Sequence, residues 1–257
     1  MNILVTNDDG VQAEGLWMLA RELNKIGTVT VVAPDRERSA IGTAVTLFEP
    51  LHADEYPSPV EGVTAYAVDG TPSDCVILAL GALVKEADIV ISGINPNLNL
   101  GEDVHISGTV GGALQGYFRG LPVIAVSAPP ASPAGMQSAA VVAARLAEHL
   151  TSVHPVKIFL NVNTPDRPLE TVTGITITRL ARASHINTVE EDPGGQRKRY
   201  HMTRARLPET GDTGTDIQAI EDGAVSITAL YTSLLDKPPQ RILKKLCADL
   251  SGDLLGV

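Results

Sequence analysis

The first thirty-three residues already commit the chain to a parallel sheet. Ile3-Leu4-Val5 is a short strand-like run. In residues 14–26 the apolar side chains Leu16, Leu19, Ala20, Leu23 and Ile26 recur at helical spacing, and Gly27 is the expected C-cap. Residues 28–33 (TVTVVA) read as a second strand. A strand, a short helical crossover and a strand make a parallel pair. The alternation continues with strands expected at 64–68, 88–91, 123–126 and 158–162. Helices are expected from a cap at Thr71 or Ser73 to Val84, at 109–117 and at 138–150. This predicts an α/β fold built on a doubly wound sheet.

The pattern changes at about residue 174. Ile175-Thr176-Ile177-Thr178 alternates, as does much of 199–207, and a turn rich in Gly, Pro and charge lies between them at 190–199. These features predict a hairpin-like arm. A further strand is expected at 224–229, and a terminal helix at 237–250 opened by Pro238-Pro239. The segment 40–60 reads as irregular or edge-like, and 92–107 as a polar loop. With aromatics at only 4%, Val, Ile, Leu and Ala must fill the core, as buried parallel strands require.

A net charge of −10 argues against a nucleic-acid polymer as partner. An acidic protein with an anionic substrate needs a local positive source: a cation, a helix N-terminus or a few Arg residues. Cys75 and Cys247 form no disulfide framework or zinc spacing. The start lacks the basic region of a signal peptide, and no apolar run approaches the ~20 residues that span a bilayer. The expectation is a cytoplasmic protein without a membrane.

In open parallel sheets, ligands bind beyond the carboxyl ends of the strands. Three polar clusters leave such ends: Asn7-Asp8-Asp9-Gly10, Pro34-Asp35-Arg36 reaching Ser39, and Ser92-Gly93-Ile94-Asn95. Adjacent carboxylates repel when ionised, and a hard cation relieves this. Asp8, Asp9, the Ser39 hydroxyl and the Asn95 amide oxygen make an oxygen-rich partial shell suited to Mg²⁺ or Mn²⁺. The competing reading of Asp8-Asp9-Gly10 is a solvated turn. Ser107-Gly108-Thr109 opens a helix after a glycine-bearing loop, where free N–H groups favour phosphate. It is not a P-loop, because no Lys follows the glycines. His105 is a candidate acid or base, weighed against a plain exposed loop residue. Arg179, Arg182, Arg197, Lys198, Arg199, Arg204 and Arg206 make the arm locally basic, as expected of either a solvated arm or a subunit contact.

These motifs together resemble the SurE family of metal-dependent nucleotidases. The resemblance is carried by Asn7-Asp8-Asp9-Gly10, Ala33-Pro34-Asp35-Arg36-Glu37-Arg38-Ser39 and Gly70-Thr71-Pro72-Ser73-Asp74-Cys75-Val76. It continues through Ser92-Gly93-Ile94-Asn95 with Asn99, Gly101, Asp103-Val104 and Ser107-Gly108-Thr109-Val110, then Leu160-Asn161-Val162-Asn163 and Gly214-Thr215-Asp216. Gly223 and Val225-Ser226-Ile227-Thr228 extend it to about residue 230. The resemblance implies a Rossmann-like three-layer sandwich of one domain, with its core at about 1–170 and 214–232. An arm at about 174–212 and a C-terminal element at about 233–257 would build a homodimer or homotetramer.

The resemblance also implies that Asp8, Asp9, Ser39 and Asn95 bind one divalent ion. Asn7, Asn95, Asn99 and Ser107-Gly108-Thr109 would contact phosphate or substrate. The implied reaction is hydrolysis of nucleoside 5′-monophosphates, with 3′-monophosphates and short polyphosphate left open. Asp8 or Asp9 is also a candidate acceptor of a proton from water. A covalent phospho-aspartate usually needs a second acid two residues on, where Gly10 stands. The alternative function is a nucleotide-binding or regulatory module without turnover. Three positions depart from the family's habit: Asn97 and Ala40 stand where Gly is usual, and Ile106 where Tyr is usual. Asn, at position 97, tolerates positive φ better than most residues.

Overall fold

The computed structural model describes residues 1–129, 133–152, 157–182, 185–192, 199–206, 213–230 and 240–256. The strands are β1 (Asn2–Thr6), β2 (Thr28–Pro34), β3 (Ala53–Glu55), β4 (Thr64–Val68), β5 (Ile89–Asn95), β6 (Val123–Ser127), β7 (Phe159–Asn163), β8 (Ile175–Thr178), β9 (His185–Asp192), β10 (Arg199–Arg206) and β11 (Val225–Ala229). The helices are α1 (Glu14–Leu23), α2 (Pro72–Leu78), α3 (Gly108–Phe118), α4 (Pro133–Ser152), α5 (Asp216–Glu221) and α6 (Gln240–Leu255). Among the described residues, nine strands form one sheet in the order β3-β4-β2-β1-β5-β6-β7-β11-β8. Pairing is parallel except for β3 on β4 and β11 on β7.

Strand alternation builds the layers. Ile3 and Val5 of β1, with Ile89 and Ile91 of β5, face one side. There they pack with Leu16, Leu19 and Leu23 of α1, Leu146 and Leu150 of α4, and Leu243 and Leu246 of α6. Leu4 and Val90 face the other side, against Cys75 and Val76 of α2 and Val110, Ala113 and Tyr117 of α3. Period-two side chains under helices on both faces make the central strands almost continuously apolar.

Several boundaries differ from the sequence reading. Helix α1 stops at Leu23, with Asn24 as its C-cap, and Gly27 is not the cap. A Cβ at Gly27 would lie 2.5 Å from the Met1 carbonyl oxygen, so glycine there lets β2 start against the chain's beginning. Thr71, not Ser73, caps α2: its hydroxyl accepts from Asp74 N–H while the Asp74 carboxylate accepts from Thr71 N–H. Strand β5 runs on through Asn95, into the expected polar loop, because all seven of its residues are buried. That loop also holds a 3-10 turn, Gly101–His105.

The expected pairing of 175–178 with 199–207 is corrected. Residues 175–178 are β8, an edge strand parallel to β11, and the hairpin is β9 on β10. Helix α5 was not foreseen. Helix α6 is described from Gln240, so Pro238-Pro239 lies outside the described residues, as does most of the expected turn at 190–199.

Candidate functional site

Strands β1 and β5 are neighbours, but α1 carries the chain from β1 towards β2 and α3 carries it from β5 towards β6. The two loops therefore leave in opposite directions and open a crevice at a topological switch point. A cleft of about 550 Å³ lies there, lined by Asp8, Ser39, Asn95, Asn97, Asn99, Asp103, Ile106, Ser107 and Arg204. Asp9 lines an adjoining cleft of about 220 Å³ with Glu14 and Ile94, and Pro96 borders both.

The carboxylates are held at an electrostatic cost. Asp8 is 3% exposed, and burial raises its pKa. Hydrogen bonds work against that rise: the Thr109 hydroxyl donates to Asp8 Oδ1 at 2.5 Å, and the backbone N–H groups of Asp8, Thr109 and Gly108 also favour the ionised form. Asp8 is thus seated at the N-terminus of α3, where the helix dipole favours negative charge. Asp9 is pushed up to about 7, first by burial and then by the charges of Asp8 and Glu37. Its Oδ2 is buried without a hydrogen-bond partner, as is Oδ1 of Asn7. An orphaned carboxylate oxygen beside a second carboxylate is costly unless a cation compensates.

The donor set fits a hard divalent ion. All four side chains offer oxygen. Asn95 donates through Nδ2 to the Asn97 carbonyl, leaving its amide oxygen as the acceptor. The Ser39 hydroxyl donates to Glu37 Oε1 at 2.8 Å, and a cation would compete with that bond. Among the described residues no group of three His, Cys, Asp or Glu side chains is gathered for a metal. Two carboxylates, a hydroxyl and an amide would have to suffice, with water or phosphate completing the shell. Gly108 is required by close approach: a Cβ there would meet Asp8 Cβ at 2.7 Å.

The remaining sequence candidates divide. The Ser107 hydroxyl accepts from Val110 N–H at 3.1 Å, caps α3 and lines the cleft. Asn99 is a hub: its N–H donates to Asn163 Oδ1, its Nδ2 to Ser127 Oγ, and its carbonyl accepts from Asn161 and Asn163. Asn7, Gly108 and Thr109 are buried behind the cleft rather than on its wall; Asn7 Nδ2 donates to the Gly10 carbonyl. His105 is exposed and lines a different, larger cavity. Among the described non-glycine residues Ala40, not Asn97, adopts positive φ, at 56°.

Arg179 hydrogen-bonds the Thr213 carbonyl and Arg199 pairs with Asp192, while Arg197 and Lys198 lie outside the described residues. In the sequence Glu37 and Asp103 figure only as motif members and Arg204 only as one of the basic arm residues, and none of the three has a role in the site there. Their partners are charges brought together only by the fold.

Comparison with known proteins agrees with the geometry. A family described as "Survival protein SurE" matches residues 3–187. The 5′-nucleotidase SurE of Dehalococcoides mccartyi is 48% identical over 93% of this chain and 92% of its own. That of Geobacter sulfurreducens is 45% identical over 95% and 93%. The crystal structure of SurE protein from Aquifex aeolicus superposes with a TM-score of 0.77 at 34% identity, covering 95% of this chain and 98% of that one.

Proposed function

Because this chain belongs to the SurE family, we propose that it is a 5′-nucleotidase whose chemistry is performed in the cleft between the ends of β1 and β5. It hydrolyses nucleoside 5′-monophosphates to nucleoside and phosphate. The observation that carries this reading is the pair at the switch point, a buried Asp8 beside a half-buried Asp9 with an unpartnered oxygen, both with raised pKa values.

Asp8, Asp9, Ser39 and Asn95 would hold one divalent ion, Mg²⁺ or Mn²⁺. Bound there, the ion supplies charge withdrawal from the phosphoryl group and a template for an attacking water. Thr109 and the backbone at Gly108 fix the Asp8 carboxylate. Ser107, which already accepts a hydrogen bond, keeps its O–H to donate to a phosphate oxygen. Asn99 anchors the loop that carries this wall to β6 and β7. Water attacks phosphorus, the ester P–O bond breaks, and the proton released by water ends on the leaving nucleoside oxygen. Asp8 or Asp9 would accept that proton on its way. Preorganised donors of this kind stabilise the charge that develops on the phosphoryl oxygens.

The β9–β10 hairpin and the C-terminal element at about 233–257 serve assembly into a dimer or tetramer. Val189 and Met202, paired across β9 and β10, and Tyr200 on the same face are exposed apolar side chains that support this. Among the described residues no helix is long and apolar enough to cross a membrane.

The test is phosphate release from a panel of nucleoside monophosphates with Mg²⁺, Mn²⁺ or EDTA. Release should require metal, and Asp8→Asn should lower kcat by about a thousandfold. Nucleotide binding without release under any metal would replace this reading with that of a binding module.

A further inference from the structure

The wall of the cleft that faces the arm is not accounted for by metal or phosphate. It holds Asp103 from the 3-10 turn and Arg204 from β10, which form an ion pair between residues 101 positions apart. Asp103 is 6% exposed, while about a third of the Arg204 side chain remains exposed. Arg204 is the one cationic side chain among the described residues lining this cleft. The same cleft is also lined by the apolar side chains of Leu98, Leu100, Pro129 and Ile106.

We propose that Arg204, held by Asp103, is a specificity-determining residue that binds the nucleoside half of the substrate. This rests on the nucleotidase reading of the same cleft. The reasoning turns on charge and shape. A guanidinium paired with a buried carboxylate has spent most of its net charge and adds little attraction for a dianionic phosphate. What it keeps is a rigid plane and unused N–H donors. A plane stacks on a base, and the donors suit ring nitrogens, carbonyls and ribose hydroxyls. The apolar side chains lining the same cleft suit a base face. The phosphate end already has its own positive sources, so a further cation is not needed there.

The experiment is titration of adenosine, guanosine and uridine, and separately of inorganic phosphate, into wild type, Arg204→Ala and Arg204→Lys with Mn²⁺ present. Arg204→Lys is the decisive variant, because lysine keeps an ion pair with Asp103 and the loop in place while removing the planar fork. Both variants should weaken nucleoside binding by about tenfold and leave phosphate binding unchanged. With substrate, KM for nucleoside monophosphates should rise while kcat is retained, and turnover of ethyl phosphate should not change.

Equal loss of nucleoside and phosphate would assign Arg204 to the loop's structure or to phosphate, and would overturn the proposal. A lysine variant indistinguishable from wild type would also overturn it, as would a wild type that binds no nucleoside. Titration does not require turnover. If the protein bound nucleoside through Arg204 but released no phosphate, the nucleotidase reading would fail by itself.

Discussion

Two cavities lie on opposite sides of one short piece of chain. Asp103, Ile106 and Ser107 face the 550 Å³ cleft, while Val104 and His105 face a larger cavity of about 720 Å³. The larger one is walled mainly by Leu114, Phe118, Phe159, Leu180, Leu230 and Leu243, with a few hydroxyls and Arg179. Size and apolar lining would favour it as a binding site. The smaller cleft, with the adjoining one that Asp9 lines, instead concentrates what chemistry requires: two adjacent carboxylates with raised pKa values and an oriented amide and hydroxyl. A cavity at the edge of a sheet reports how side chains fill space. A cleft at the ends of its central strands reports what the backbone was arranged to expose.

The sharpest way to break this contrast is to damage the larger cavity. Phe159 is 2% exposed, and its ring lies 5.8 Å from that of Tyr117. Phe159→Ala should cost about 3 to 5 kcal/mol of stability in urea unfolding. Phosphatase activity per folded molecule should be retained; if it falls in step with stability, the two cavities are not independent.

The converse change is Gly108→Ala, which drives a methyl group into Asp8. Displacement of a carboxylate proposed to hold the metal by about 1 Å should lower kcat/KM by roughly a hundredfold. Overpacking costs typically 1–3 kcal/mol, so circular dichroism should still report a folded chain. Normal activity in that variant would mean that Asp8 does not need its place at the start of α3.

The smallest effect concerns Ala40, which borders the cleft with φ at 56°. A left-handed non-glycine residue is strained, so Ala40→Gly should raise stability by about 1 kcal/mol. A loss of stability in the same thermal melt would show that the unfolded-state entropy of glycine outweighs the strain.

The carboxylate end of the cleft is legible in the sequence and the arm end is not, for a physical reason. Asp8 and Ser39 follow strands and Asn95 ends one, and the strand-end rule gathers them without knowledge of any contact. Arg204 and Asp103 meet only because a hairpin folds back over a turn, and no local pattern encodes that meeting. Residues 175–178 illustrate the same limit. A four-residue alternation reads identically on a hairpin and on the edge of a sheet, and only its partner, β11, distinguishes them. Ser, Gly and Asn are weak strand formers, so residues 92–95 look like loop in the sequence, yet all are buried and belong to β5.

The central claim is that Asp8, Asp9, Ser39 and Asn95 together hold a divalent ion. Its most direct test is the melting temperature of wild type and of the Asp8→Asn/Asp9→Asn double variant, each with and without saturating Mn²⁺. A ligand at a hundred times its Kd stabilises by about 2.7 kcal/mol, or roughly 5 to 10 °C for a chain of this size. The account predicts that gain in wild type and none in the double variant. No gain in wild type, or an equal gain in both proteins, would contradict it.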